Sequence, residues 1–139
     1  MKRNTMEISL KIILRISGIM LITAFGAVLL PYDTMARIHQ QIGLGNLPNA
    51  PILDYLARSV SLFYAMHGVI AIYISFNLMR YLQILKLLCY LGFLFGIALF
   101  IIDIKAPMPA YWAFTEGPII LSLNLAIYIL ANMLERNKH

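Results

Sequence analysis

The sequence predicts an all-α membrane protein, a bundle of four transmembrane helices, and three observations carry that expectation. The 139 residues are 61% hydrophobic and 12% charged, with a mean hydropathy of +0.80. Soluble domains average about 25% charged residues, so this chain lacks the polar surface to meet water over most of its area. Its apolar residues gather into four runs, each near the length of about 20 residues that a helix needs to cross a hydrocarbon core of about 30 Å. The uninterrupted "LLCYLGFLFGIALFII" (87–102) has none of the alternation of a β-barrel strand, the other structure that satisfies its backbone in lipid.

Taken in order, the first span covers about 8–30 and is stopped by Pro31. "DTMARIHQQIG" (33–43) follows, with Met35, Ile38 and Ile42 on one side and Arg37, Gln40 and Gln41 on the other. Ten or so residues cannot span, so this segment predicts a short amphipathic helix at the interface in the first outer loop. Asp33 is its expected N-cap and Gly43 its C-terminal stop. The second span covers about 53–79 and the third about 82–102, joined as an antiparallel hairpin through "RYLQ" (80–83). In the second outer loop Pro107 and Pro109 bar a regular helix, and Tyr111 and Trp112 suit the headgroup boundary. The fourth span covers about 117–134, with Pro118 in its first turn. Residues 1–139 read as a single domain.

Charge gives the orientation, because loops rich in Lys and Arg stay in the cytoplasm. Lys2, Arg3, Lys11, Arg15, Arg80, Lys86, Arg136 and Lys138 fall on the side of the termini, against Arg37, Arg58 and Lys105 on the other. Both termini are therefore expected in the cytoplasm, and the net charge of +5 reflects topology rather than nucleic-acid binding. Lys11 and Arg15 interrupt the first apolar run and no A-x-A site follows it, which favours a retained span over a cleaved leader. The single Cys89 excludes an intramolecular disulfide and a thiol-rich metal site.

Helices in lipid associate through small residues. Cys89, Gly92, Gly96 and Asp103 fall within about 60° of one another on the third span. Asp54, Arg58, Ser61, Ala65, Gly68 and Ile72 form a stripe on the second, with Asp54 and Arg58 spaced to pair along the helix. These two faces are expected to pack together through Gly68, Gly92 and Gly96, bringing Asp103 near Arg58. His67 lies about 180° from Arg58 and is expected to meet Asn124 and Tyr128 of the fourth span.

The candidate ligand-binding residues are Arg37, His39, Asp54, Arg58, Asp103, Trp112 and Glu116, all near the outer boundary. Ionisable groups inside a span point to function, but groups near a helix end also serve as salt-bridge bracing. No nucleophile motif, HExxH or paired-carboxylate spacing singles out a catalyst, and no metal site or cofactor is implied. A haem held by His39 and His67 is disfavoured, since His67 lies about 13 Å beyond Arg58 along its helix. The sequence thus favours a non-catalytic subunit or assembly protein over an enzyme, with Asp54, Arg58, Asp103 and Glu116 forming an outer polar pocket. The alternatives are a membrane-embedded enzyme or binder acting on an amphiphile, and an oligomeric proton or ion path through His67. Expected partners are the lipid bilayer, other membrane proteins or further copies of the chain, and no nucleic acid.

The segments "YLARSVSLFYAMHG" (55–68) and "MPAYWAFTEGP" (108–118) resemble parts of uncharacterised small bacterial four-helix integral membrane proteins. The resemblance implies a bacterial inner-membrane location. It brings no activity and no ligand.

Overall fold

The computed structural model describes residues 3–137, so Lys2 and Lys138 of the charge count lie outside the described residues. The described chain is helical: α1 Arg3–Thr23, α2 Gly26–Leu29, α3 Tyr32–Gln41, α4 Pro51–Phe76, α5 Leu78–Lys105, α6 Ala110–Ala113 and α7 Glu116–Arg136. Among the described residues, four stretches are long and apolar enough to cross a membrane, Arg3–Leu29, Pro51–Phe76, Leu78–Lys105 and Ala110–Arg136. Large apolar side chains such as Ile19, Met20, Val69 and Leu94 stand exposed along them, as a lipid-facing surface requires. The chain is a small multi-pass helical membrane protein.

Each span starts earlier than hydropathy alone marks, because polar helix ends carry the regular hydrogen bonds beyond the apolar core, while the second ends at Phe76, short of the expected residue 79. The first begins at Arg3 rather than near residue 8, where Lys11 bonds Glu7 one turn back at 2.6 Å. The second starts on Pro51, whose missing N–H costs nothing at a first helical position. The largest correction is the connection between the second and third spans. "RYLQ" is helical, and the break falls on Asn77, whose side chain accepts the Arg80 N–H at 3.3 Å. Asparagine is a strong helix N-cap, so a single residue suffices where a four-residue loop was expected.

The first span also breaks near its C-terminal end. Between Ala24 and Val28 the N–H groups bond three residues back rather than four, and Leu30 is extended (φ −69°, ψ 140°) before Pro31. Helix α3 then ends as expected on Gly43, at φ +81°. The Gly43 N–H bonds the Gln40 carbonyl at 3.0 Å and the Leu44 N–H bonds that of His39 at 3.1 Å, which is a Schellman motif. Its start differs from expectation: Pro31 is the cap, with no side-chain bond, and Asp33 sits inside the first turn.

The chain divides into two compact units, Leu14–Tyr73 and the residues before and after it. In the first, Gly18 of α1 meets Gly68 of α4. A Cβ on Gly68 would stand 2.5 Å from the Gly18 carbonyl oxygen, and one on Gly18 would stand 2.7 Å from Ile72. In the second, α5 packs along α7. The buried residues of α5 are Leu78, Leu82, Leu85, Cys89, Gly96 and Asp103, steps of three, four or seven that define one seam. A Cβ on Gly92 would collide with the Asn124 carboxamide, and one on Gly96 would lie 3.0 Å from Leu121. Gly68 thus packs on Gly18 within its unit, and Gly92 and Gly96 pack on α7 within theirs.

Candidate functional site

Arg58 is half-buried and commits its guanidinium to the backbone. Its Nε donates to both Asp54 carboxylate oxygens at 3.0 Å. One terminal nitrogen donates to the Val28 carbonyl at 2.6 Å and the Ala27 carbonyl at 3.4 Å, and the other to the Leu30 carbonyl at 3.1 Å. These carbonyls lie where the first span ends and its helical partners run out. A cation is also favoured there by the helix dipole. Arg58 therefore caps one helix from another, and Asp54 orients it.

The loop that follows α3 is tied back to that helix in a similar way. The Tyr32 hydroxyl donates to the Leu47 carbonyl at 3.0 Å, and His39 Nδ1 bonds the Gly45 carbonyl at 3.0 Å. A carbonyl only accepts, so the hydrogen sits on Nδ1. Arg37 is exposed and reaches Thr34 at 3.4 Å.

At the C-terminal end of α5 the arrangement changes. Asp103 is 5% exposed, and its Oδ2 has no hydrogen-bond donor among the described residues. Its own carbonyl accepts the Met108 N–H at 3.0 Å, while the Ala106 N–H bonds Ile102 at 2.8 Å, so the chain turns tightly over the helix end. Helix α6 packs back onto α5 and α7, burying Ala113. Trp112 Nε1 donates to Glu116 Oε2 at 2.6 Å. Phe100 meets Phe114 edge-on at 5.8 Å, and Tyr111 meets Trp112 at 6.5 Å. Glu116 stands in the first turn of α7, where the helix dipole favours a carboxylate.

The opposite half of the α5–α7 seam holds a polar ladder that sequence reasoning missed. Lys86 pairs with Glu135, and Gln83 donates to the same carboxylate at 2.7 Å. Two turns of α7 nearer the middle, the Tyr90 and Tyr128 hydroxyls bond at 2.6 Å. Asn124 then donates to the Ile120 carbonyl of its own helix at 2.8 Å while covering Gly92. The available signal was the match of Gln83, Lys86 and Tyr90 on α5 with Glu135 and Tyr128 on α7, steps of three and four on the first helix and of seven on the second. Tyr128 and Asn124, the expected partners of His67, are engaged in this seam. His67 is exposed, and its Nδ1 bonds the Phe63 carbonyl one turn back at 2.9 Å.

Of the sequence-predicted site residues, Asp54 and Arg58 come together, Trp112 and Glu116 come together, and Arg37 and His39 serve their own loop. Asp103 is the one left with an unsatisfied buried oxygen. No group of three or more His, Cys, Asp and Glu among the described residues is placed to hold a metal ion. No family model, no curated protein and no solved structure matches this chain.

Proposed function

We propose that this is a non-catalytic subunit or interaction protein of a bacterial inner membrane, with both termini cytoplasmic and α3 resting on the outer surface. The observation that carries the reading is the use of Arg58. A guanidinium spent on three backbone carbonyls and one carboxylate braces helices and leaves little to hold a substrate. His39 and Glu116 are spent likewise, one on a carbonyl and the other on an indole. General acid–base chemistry needs a group within reach of a substrate proton, and bracing consumes these. The outer end of α5 and α7, around Asp103, is the place left for binding.

Native mass spectrometry of the full chain released from its own membrane tests this. A complex of fixed stoichiometry, with a second membrane protein or with further copies, is the expected result. A lone monomer that turns over a substrate would overturn it.

A further inference from the structure

We propose that the outer end of α5 and α7 binds an alkylammonium cation, with the Asp103 carboxylate as its counter-ion. This rests on reading that end as the binding site and names the ligand class it takes. A carboxylate removed from water is costly unless it is paired. Asp103 is buried, and its Oδ2 meets no donor among the described residues. Its position deepens the need, for it stands in the last turn of α5, where the helix dipole is itself negative.

A second carboxylate, Glu116, stands in the first turn of α7, the helix that packs along α5. Gly117 packs on the Gly96 carbonyl and on Phe100, about one turn of α5 before Asp103, and Glu116 is its neighbour in the chain. Trp112 gives Glu116 a hydrogen bond but no charge. Lys105, the basic residue two positions beyond Asp103, is exposed. The end is thus anionic, and it is rich in aromatic rings: Phe100, Tyr111, Trp112 and Phe114. Aromatic faces attract cations, organic ammonium groups above all.

The class of cation follows from the surroundings. A divalent metal ion wants six or more oxygen ligands or several soft donors, and no three His, Cys, Asp or Glu side chains gather to hold one among the described residues. An organic ammonium carries its charge on a body that apolar rings solvate, and an attached acyl or alkyl chain continues into the lipid beside the spans. The cation can come from the headgroup of a zwitterionic lipid, whose phosphate exposed Lys105 is placed to meet, or from a free amphiphilic amine.

The test uses the full chain in lipid nanodiscs, with Asp103→Asn to remove charge while keeping shape. Retained lipid is read by native mass spectrometry from discs of phosphatidylethanolamine mixed with phosphatidylglycerol. Free amine is read by equilibrium binding of dodecyltrimethylammonium against dodecyl maltoside. The wild type is expected to retain the ethanolamine lipid, or to bind the ammonium amphiphile saturably, and Asp103→Asn to weaken that binding by roughly tenfold or more. Loss of lipid retention on Lys105→Gln assigns the lipid source, and binding unchanged by that variant assigns the free amine. If Asp103→Asn does not fold, Glu116→Gln is used and is expected to weaken binding in the same direction. Equal binding by wild type and variant, no binding by the wild type, or a preference for the anionic lipid would overturn the proposal. So would loss of a protein partner on Asp103→Asn with ammonium binding unchanged. A stable complex with another membrane protein that ignores these variants would leave the interaction role standing while the ligand assignment falls.

Discussion

Arg58 holds the carbonyl oxygen of Val28 at 2.6 Å, a bond from the second span to the last turn of the first. The answer to why a lipid-bound helix carries an arginine is here. Hydrogen-bond donors are needed where a helix ends without water, and a guanidinium supplies several at fixed angles.

Arg58→Ala is expected to lower the unfolding temperature in detergent by several degrees and to loosen the C-terminal end of the first span. Arg58→Lys should recover only part of the loss, because an ammonium cannot bridge Asp54 and three carbonyls in one plane. Thermal unfolding of the three proteins, with hydrogen exchange across residues 24–30, checks both. Equal stability of the alanine variant would remove the capping role.

The Gly18–Gly68 contact predicts a steric contrast. Gly68→Ala places a methyl 2.5 Å from a backbone oxygen that cannot rotate away, at an expected cost of about 1–3 kcal/mol. Gly26→Ala, with nothing within 4 Å of the new methyl, should be neutral or gain about 0.5–1 kcal/mol from helix propensity. Unfolding both in the same micelle separates a packing glycine from an idle one.

Lys86 and Glu135 are expected to behave as a coupled pair. Each single replacement by the opposite charge should lower folded yield, and Lys86→Glu combined with Glu135→Lys should restore much of it. The double-mutant cycle should show a coupling of about 0.5–3 kcal/mol. Additive losses would mean that the pair found between α5 and α7 carries no net stability.

Gly43 terminates α3 at φ +81°, where a side chain is strained. Gly43→Ala is expected to cost about 1 kcal/mol and to expose the 44–50 loop to proteolysis. Tyr32→Phe should act on the same loop by freeing the Leu47 carbonyl. Limited proteolysis timed against wild type reads both.

How much of this was legible in the sequence follows from distance along the chain. The four spans were, because apolar length is a local property that lipid demands directly. The Asp54–Arg58 pair and the Gly43 stop were legible for the same reason, being settled within one turn. The lateral pairing was not. Lipid tails are as apolar as leucine, so no hydrophobic stripe marks which face meets which helix. Gly18 stood alone in "ISGIM" with no spaced companion to mark it as the seat for Gly68. The Lys86–Glu135 pair was obscured differently, because Lys86 was counted only as a charge that sets orientation. Arg58 was legible as a polar residue near a helix end, but its chief acceptors lie about thirty positions back, and no spacing rule reaches that far.

That separation has a consequence for biogenesis. During synthesis the final turn of the opening helix leaves the ribosome some thirty residues ahead of the side chain that will satisfy it. Until the second span enters the bilayer, those oxygens must stay hydrated, so the outermost turn has to wait in the headgroup layer or within the insertion machinery. Seating of the two spans is thereby linked, and slowing translation just before Arg58 would prolong a half-inserted intermediate whose exposed end is open to quality-control proteases.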